Sequence, residues 1–345
     1  MEARWAQEIA QKTGRDDLAL HRVVEVQRDH VQVHDGQTQL RARVRHSLQQ
    51  ELAQAADALA VGDWVLTDED PFGARWVQVR VPPRNQLARR LHDGRDKVAR
   101  VVIVSNVDSA LLVMGLDHDF NLRRLERYLT LAQLAGVAPL VVLTKADLAL
   151  DPAQALARVA KALPAEVPVV AVDGRAGAAR QALAPWLRPG HTLVLLGSSG
   201  AGKSTLTNTL CGQPLQDTGP TREGDGRGRH TTTVRSLHLA LDGACIIDTP
   251  GLRTLRLDSD EAALRSVYED VSTLSLQCRF RDCRHEGEPG CAVRDGVAAE
   301  RLKSWHKLQR EAQRDTMSAL ERQRQLSEWK QRGRAGRNRA REKRE

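Results

Sequence analysis

The chain has 345 residues, 52 of them Lys or Arg against 44 Asp or Glu, and a formal net charge of +8. That length allows two or three domains with a sizeable core, and nowhere does an apolar run approach the ~20 residues of a membrane helix. Met1-Glu2-Ala3-Arg4-Trp5 has no apolar signal segment behind it, so the expectation is a cytoplasmic monomer with no membrane attachment.

The first part of the chain alternates at the period of a strand. Stretches 23–27, 30–34, 40–44, 61–66 and 75–81 are predicted strands, with Asp35-Gly36 as a hairpin turn. Five short strands within about sixty residues fit an OB-fold barrel, and equally another small antiparallel barrel. Trp64 and Trp76 are either base-stacking platforms or core residues. Pro82-Pro83 marks a boundary, and residues 83–100, with Arg89, Arg90, Arg95, Lys97 and Arg100, read as a basic linker, either solvated or touching RNA phosphates.

From Val101 strands and helices alternate, the pattern of a layered α/β sheet with crossover helices. Strands are predicted at 101–104, 111–114, 139–143, 167–172 and 191–196, and helices over 121–134, 151–163 and 177–187. The strand at 139–143 runs into Thr144-Lys145-Ala146-Asp147. A carboxylate there can accept from both the guanine N1–H and its exocyclic amine; adenine offers no such pair of donors. Thr144 stands where such a motif usually has asparagine, and a hydroxyl is expected to brace the loop less well. Residues 169–174 lie where a second base loop belongs, but no side chain there can be assigned.

Gly197-Ser198-Ser199-Gly200-Ala201-Gly202-Lys203-Ser204 matches the full phosphate-loop pattern between an apolar strand and a helix. Its glycines let the backbone wrap a phosphate, and the helix N-terminus turns free N–H groups toward that anion. Lys203 is expected on the β- and γ-phosphates, the Ser204 hydroxyl on Mg²⁺, and Thr205 beside the nucleotide. Asp248-Thr249-Pro250-Gly251 follows another short apolar run. Asp248 is placed to hold Mg²⁺, and Gly251 to offer its N–H to the γ-phosphate. Between the two lies the first switch, residues 226–233. Here Thr232 is the candidate Mg²⁺ contact, and His230 either positions the attacking water, touches RNA or braces the loop. Leu252 replaces the glutamine that often orients water, so unaided turnover should be slow. The base reader precedes the phosphate loop, the reverse of an ordinary small GTPase, which reads as circular permutation.

Cys278, Cys283, His285 and Cys291 form a Cys₃His set suited to tetrahedral Zn²⁺; disulfide pairing is the alternative, disfavoured inside a cell. Four protein ligands leave no open position, which makes such a zinc structural. Cys211 and Cys245 sit in apolar contexts and read as core. A helix over 298–328 would bury Leu302, Trp305, Leu308 and Leu320, and residues 330–345 carry eight Lys or Arg against two Glu. That tail is expected to be disordered when free and to attract phosphates without sequence preference.

These motifs in this order resemble the ribosome small-subunit-dependent GTPase A family, circularly permuted GTPases flanked by an OB-fold and a zinc-binding domain. The resemblance covers nearly the whole chain. It implies a multidomain α/β protein: an OB-like β-barrel in 1–82, a permuted P-loop GTPase domain in 101–257, and a zinc-binding helical domain in 258–329 followed by the basic tail. It further implies GTP hydrolysis with Mg²⁺, one structural Zn²⁺, and binding to the small ribosomal subunit and its rRNA. The role implied is a late assembly checkpoint, with hydrolysis stimulated by the subunit and release in the GDP form. Two rivals remain: a nonenzymatic RNA-binding scaffold, opposed by the complete phosphate and Mg²⁺ set, and a P-loop ATPase, opposed by Asp147.

Overall fold

A computed structural model describes residues 17–92, 98–118, 120–175, 177–215, 235–249 and 267–316, with a few isolated positions besides. Strands β1 (Ala19–Val26), β2 (Val31–His34), β3 (Gln39–Val44), β4 (Trp64–Glu69) and β5 (Arg75–Arg80) close a barrel in the order β1-β2-β3-β5-β4-β1. Only β3 and β5 run parallel. Alternation puts Val23, Val31, Val33, Ala42, Val65 and Val77 inside. Leu48 joins them from helix α1 (His46–Gln54), an element the strand reading did not include. Trp76 lies half-buried under the guanidinium groups of Arg45 and Arg43, at 4.9 and 5.7 Å, and its Nε1 donates to Asp70.

Within 83–100, expected as a basic linker, the described residues from Gln86 on form strand rather than irregular chain. They supply β6 (Gln86–His92) and the start of β7 (Val98–Ser105), an antiparallel hairpin with Leu87 opposite Val104. Leu87, Val102 and Val104 are buried. The arginines set between these apolar positions disguise a two-residue period as a charged run.

The second sheet region comprises β8 (Ser109–Gly115), β9 (Ala138–Thr144), β10 (Val169–Ala171), β11 (Thr192–Leu196), β12 (Ser236–Leu239) and β13 (Cys245–Asp248), ordered β10-β9-β8-β11-β13-β12. All neighbours are parallel except β12 and β13. Successive residues face opposite cores. Leu112, Val141, Val194 and Ile247 pack with α2 (Leu122–Leu134) and α3 (Pro152–Ala162). Leu111, Val142, Leu193 and Ile246 pack with α4 (Gly177–Leu183) and α5 (Lys203–Cys211). Burial on both faces is why these strands read as continuous apolar runs. Helix starts follow their caps: Asn121 accepts from the Arg124 N–H at 3.2 Å, and Asp151 from the Gln154 N–H at 2.9 Å ahead of Pro152.

Barrel and α/β sheet are one continuous structure. β1 pairs antiparallel with β12 at Glu25 and Ser236, and Val61 bridges to Val104. At that junction a Cβ on Gly62 would lie 2.1 Å from the Ser105 carbonyl oxygen, and its φ is +95°, so no other residue fits there. Asn106 locks the seam: its Nδ2 donates to Gly62 O at 3.0 Å and its Oδ1 accepts the Arg84 N–H at 2.9 Å.

Past the sheet come α6 (Glu269–Ser275), α7 (Ala292–Gly296) and α8 (Ala299–Thr316). α8 lies along α2. Arg127 grips Glu311 with two N–H donors at 3.0 and 2.7 Å, Arg123 pairs with Glu300, and the Thr130 hydroxyl is 3.2 Å from the Tyr268 hydroxyl. Leu302 and Leu308 are buried and Trp305 half-buried; Leu320 falls outside the described residues. Among the described residues no helix is long and apolar enough to cross a membrane.

Candidate nucleotide site and metal cluster

The carboxyl edge of a parallel sheet is where ligands gather, because the loops leaving the strands converge there. β11 delivers residues 197–202 to this edge, and α5 begins at Lys203. Gly197 passes so close to β8 that a Cβ would sit 2.4 Å from Val113 O, while Gly200 and Gly202 adopt φ of +81° and +90°. The glycines are therefore demanded by backbone shape. Lys203 is buried, and its Nζ donates to the carbonyls of Gly197 and Ser198 at 3.0 and 2.7 Å. Ser204 and Thr205 follow, half-buried in the first turn.

β13 lies next to β11, with Asp248 opposite Leu195. Asp248 is 2 % exposed, and its Oδ1 has no hydrogen-bond partner among the described residues. Burial pushes its carboxyl pKa upward, against the pull of the Lys203 charge. A buried, half-satisfied carboxylate beside a phosphate loop is costly unless a cation completes it, which fits Mg²⁺. Thr249 is buried and donates to Leu195 O at 2.6 Å.

On the other side of the phosphate loop, β9 ends at Thr144. Its hydroxyl donates to Ala201 O at 2.5 Å and reaches Met114 O at 3.4 Å. The expected weak brace is instead a direct tie between the base-reading segment and the phosphate loop. Gly202 makes it possible, since a Cβ there would stand 3.1 Å from the Thr144 hydroxyl. Lys145 takes φ +59° and its ammonium lies 2.5 Å from Asp117 Oδ2. Asp147 is exposed on the 3₁₀ turn Ala146–Leu148.

Thr144, Lys145, Asp147, Asp173, Arg175 and Thr205 line one open cleft. Asp173 accepts the Arg175 N–H at 2.9 Å, and Gly174 O accepts from Thr209 of α5 at 2.7 Å. Sequence reasoning missed Asp117, Asp173 and Arg175; the available signal was their place just after β8 and β10, at the same sheet edge. Thus Thr144 to Asp147, Gly197 to Thr205 and Asp248 come together. His230, Thr232, Gly251, Leu252 and the tail lie outside the described residues.

The four predicted metal ligands also converge. Ligand atoms of Cys278, Cys283, His285 and Cys291 all lie within 4.8 Å of one another. Cys278 Sγ is 3.9 Å from Cys291 Sγ, and His285 Nδ1 is 3.6 and 3.4 Å from those two sulfurs. A tetrahedral ion with metal–sulfur bonds near 2.3 Å separates its ligands by about 3.5–3.8 Å, so the set fits one ion. No disulfide forms among the five cysteines. His285 holds a left-handed backbone, φ +61°, with its ring 5.6 Å from that of Trp305 on α8. Cys211 is buried, its thiol pushed up to about 11 by desolvation, and Cys245 is half-buried.

A family model described as RsgA GTPase matches residues 81–258. The small ribosomal subunit biogenesis GTPase RsgA of Xylella fastidiosa strain M23 is 48% identical over 256 residues, covering 73% of this chain and 75% of the relative. RsgA 2 of Vibrio vulnificus, of the same description, is 44% identical over 262 residues, covering 74% and 73%. Among solved structures, YjeQ from Thermotoga maritima aligns with a TM-score of 0.62 at 23% identity, over 86% of this chain and 98% of that one. YloQ, described as a circularly permuted GTPase, aligns at 0.58 and 20% identity over 87% and 97%. These two speak to the fold, the close relatives to descent. A family model spanning the sheet and relatives at nearly half identity across almost three quarters of the sequence place this chain in the RsgA family of circularly permuted GTPases.

Proposed function

We propose that this chain docks on the small ribosomal subunit in the cytoplasm as a monomer, hydrolyses GTP there and leaves in the GDP form, as a late checkpoint of subunit assembly. The observation that carries the nucleotide half is the meeting at one sheet edge of Lys203, the half-satisfied Asp248 and the cleft with Asp147 at its mouth. The subunit half rests on relatives described as small ribosomal subunit biogenesis GTPases.

In this reading the N–H groups from Gly197 to Thr205 cradle the β-phosphate, and Lys203 exchanges its carbonyl partners for β- and γ-phosphate oxygens. Ser204 and Asp248, with Thr232 from the first switch, hold Mg²⁺, which when bound neutralises charge on the same oxygens. Gly251 offers its N–H to the γ-phosphate. Asp147 reads the guanine, with Lys145 and Ala146 shaping the loop around it. His230 orients the water, a role Leu252 cannot fill. Cys278, Cys283, His285 and Cys291 hold one structural Zn²⁺ in a segment with few apolar residues of its own. The barrel and the basic tail contact rRNA.

The test is GTP against ATP hydrolysis, with and without purified small subunits. GTP turnover should be slow alone and strongly stimulated by subunits, with ATP inert; equal turnover of both nucleotides would overturn the guanine assignment. His230→Ala should still bind the subunit with GTP while losing most of the stimulation. Normal stimulation in that variant would hand water positioning to another group. Deleting residues 330–345 should have the opposite effect, lowering subunit affinity and flattening its salt dependence because several phosphate contacts are lost. GTP binding should be unchanged, and an unaltered salt slope would remove the tail from the interface.

A further inference from the structure

One residue, Ala146, separates the base-reading Asp147 from Lys145, and a lysine arm easily spans that gap. Opposite charges so close along one loop would ordinarily pair, and an ammonium on Asp147 would occupy the acceptor oxygens a guanine needs. They do not pair here. Asp147 has no hydrogen-bond or ion-pair partner among the described residues, while the Lys145 ammonium is held by Asp117, 2.5 Å away.

Three local features fix that arrangement. β8 and β9 run parallel with Gly115 opposite Thr144, so the segments leaving both strands emerge side by side. Gly115 leaves room for the Asp117 carboxylate to fold back: a Cβ there would meet Asp117 Oδ1 at 3.1 Å. Lys145 itself holds φ +59°, a left-handed conformation uncommon for a residue with a side chain, and in it the ammonium meets Asp117. Both side chains are largely shielded, Lys145 at 28% and Asp117 at 18% exposure, so the pair is better insulated than a surface salt bridge.

We infer that Asp117 is a positioning residue for guanine selectivity: it parks the Lys145 ammonium away from Asp147, leaving both oxygens of the base reader free for the N1–H and the exocyclic amine of guanine. This rests on Asp147 being the base reader. The consequence is specific to the amine. Inosine nucleotides lack it and leave one Asp147 oxygen unpartnered in the parent protein. Once Asp117 is gone, the released ammonium can satisfy that oxygen in the inosine complex but not in the guanine complex, where it must be displaced.

The experiment compares GDP and IDP affinity of the full-length protein by titration, for the parent, Asp117→Ala, Asp117→Asn, Lys145→Met, and Asp117→Ala combined with Lys145→Met. The parent should prefer GDP by about tenfold or more, the cost of one lost charge-assisted hydrogen bond. Asp117→Ala should narrow that preference about three- to fivefold, the scale of an exposed ion pair, with Asp117→Asn intermediate because its carbonyl still accepts from the ammonium. With Lys145→Met in place, adding Asp117→Ala should leave the preference where Lys145→Met alone set it. A merely structural role for Asp117 would lower both affinities together, leave the ratio unchanged and overturn the inference, as would an additive double variant. A parent that does not distinguish GDP from IDP would instead overturn the base-reader assignment beneath it.

Discussion

Asp147→Asn is expected to weaken GTP and GDP binding by about 10²–10³-fold, with the fold and the metal cluster untouched. The substitution keeps size and shape but turns one of two acceptor oxygens into a donor facing the guanine amine. Both a charge-assisted hydrogen bond and its geometry are lost, typically a few kcal/mol once the site is closed around the base. Asp147 is exposed and sits on a tight 3₁₀ turn, so no core contact confounds the measurement. The same logic predicts a gain: xanthosine diphosphate carries a carbonyl where guanosine carries the amine, and the new amide can donate to it. Fluorescence titration with the two nucleotides should show the preference invert. Undiminished GDP affinity would remove Asp147 from the base site.

The second large effect concerns the Cys₃His cluster. Protein prepared without chelator should contain one zinc per chain, and Cys283→Ser should lose it. Structural zinc sites contribute on the order of 10 kcal/mol to folding their own segment, far more than residues 278–293 can gain from burying Cys291 and Val293. Backbone hydrogen exchange should therefore rise across that segment and spread to the part of α8 that carries Trp305 against His285. The nucleotide site has no ligand in common with the cluster, so GDP affinity should hold. Zinc-free protein with unchanged exchange would mean that the four residues pack well without a metal.

The α/β sheet was legible because its strands are buried on both faces and its helices carry strong caps at Asn121 and Asp151. The barrel was legible from alternation, apart from α1, whose apolar contribution is little more than Leu48 and Leu52. The β6–β7 hairpin was hidden by charge: Arg89 and Arg100 sit on strands that also bury Leu87, Val102 and Val104. At the site, contiguous motifs announced themselves. What stayed invisible was everything made by tertiary register. Asp117 and Lys145 lie 28 residues apart and meet only because β8 and β9 are neighbours. Likewise the hydroxyl of Thr144 cannot be known to brace Ala201, 57 residues away, until the strand order is known.

The pairing of β1 with β12 bears on how this protein can be dissected. β12 is the last strand of the nucleotide-binding half, and the barrel's first strand covers its outer side. A fragment cut at Pro82-Pro83 to isolate that half would uncover the β12 backbone that Glu25 now covers at Ser236, on a strand already exposing Leu239 and followed by exposed Leu241. Bare strand edges of that kind invite pairing with other copies. Expression of such a fragment should yield self-associating material, whereas a fragment beginning at β1 should stay dispersed.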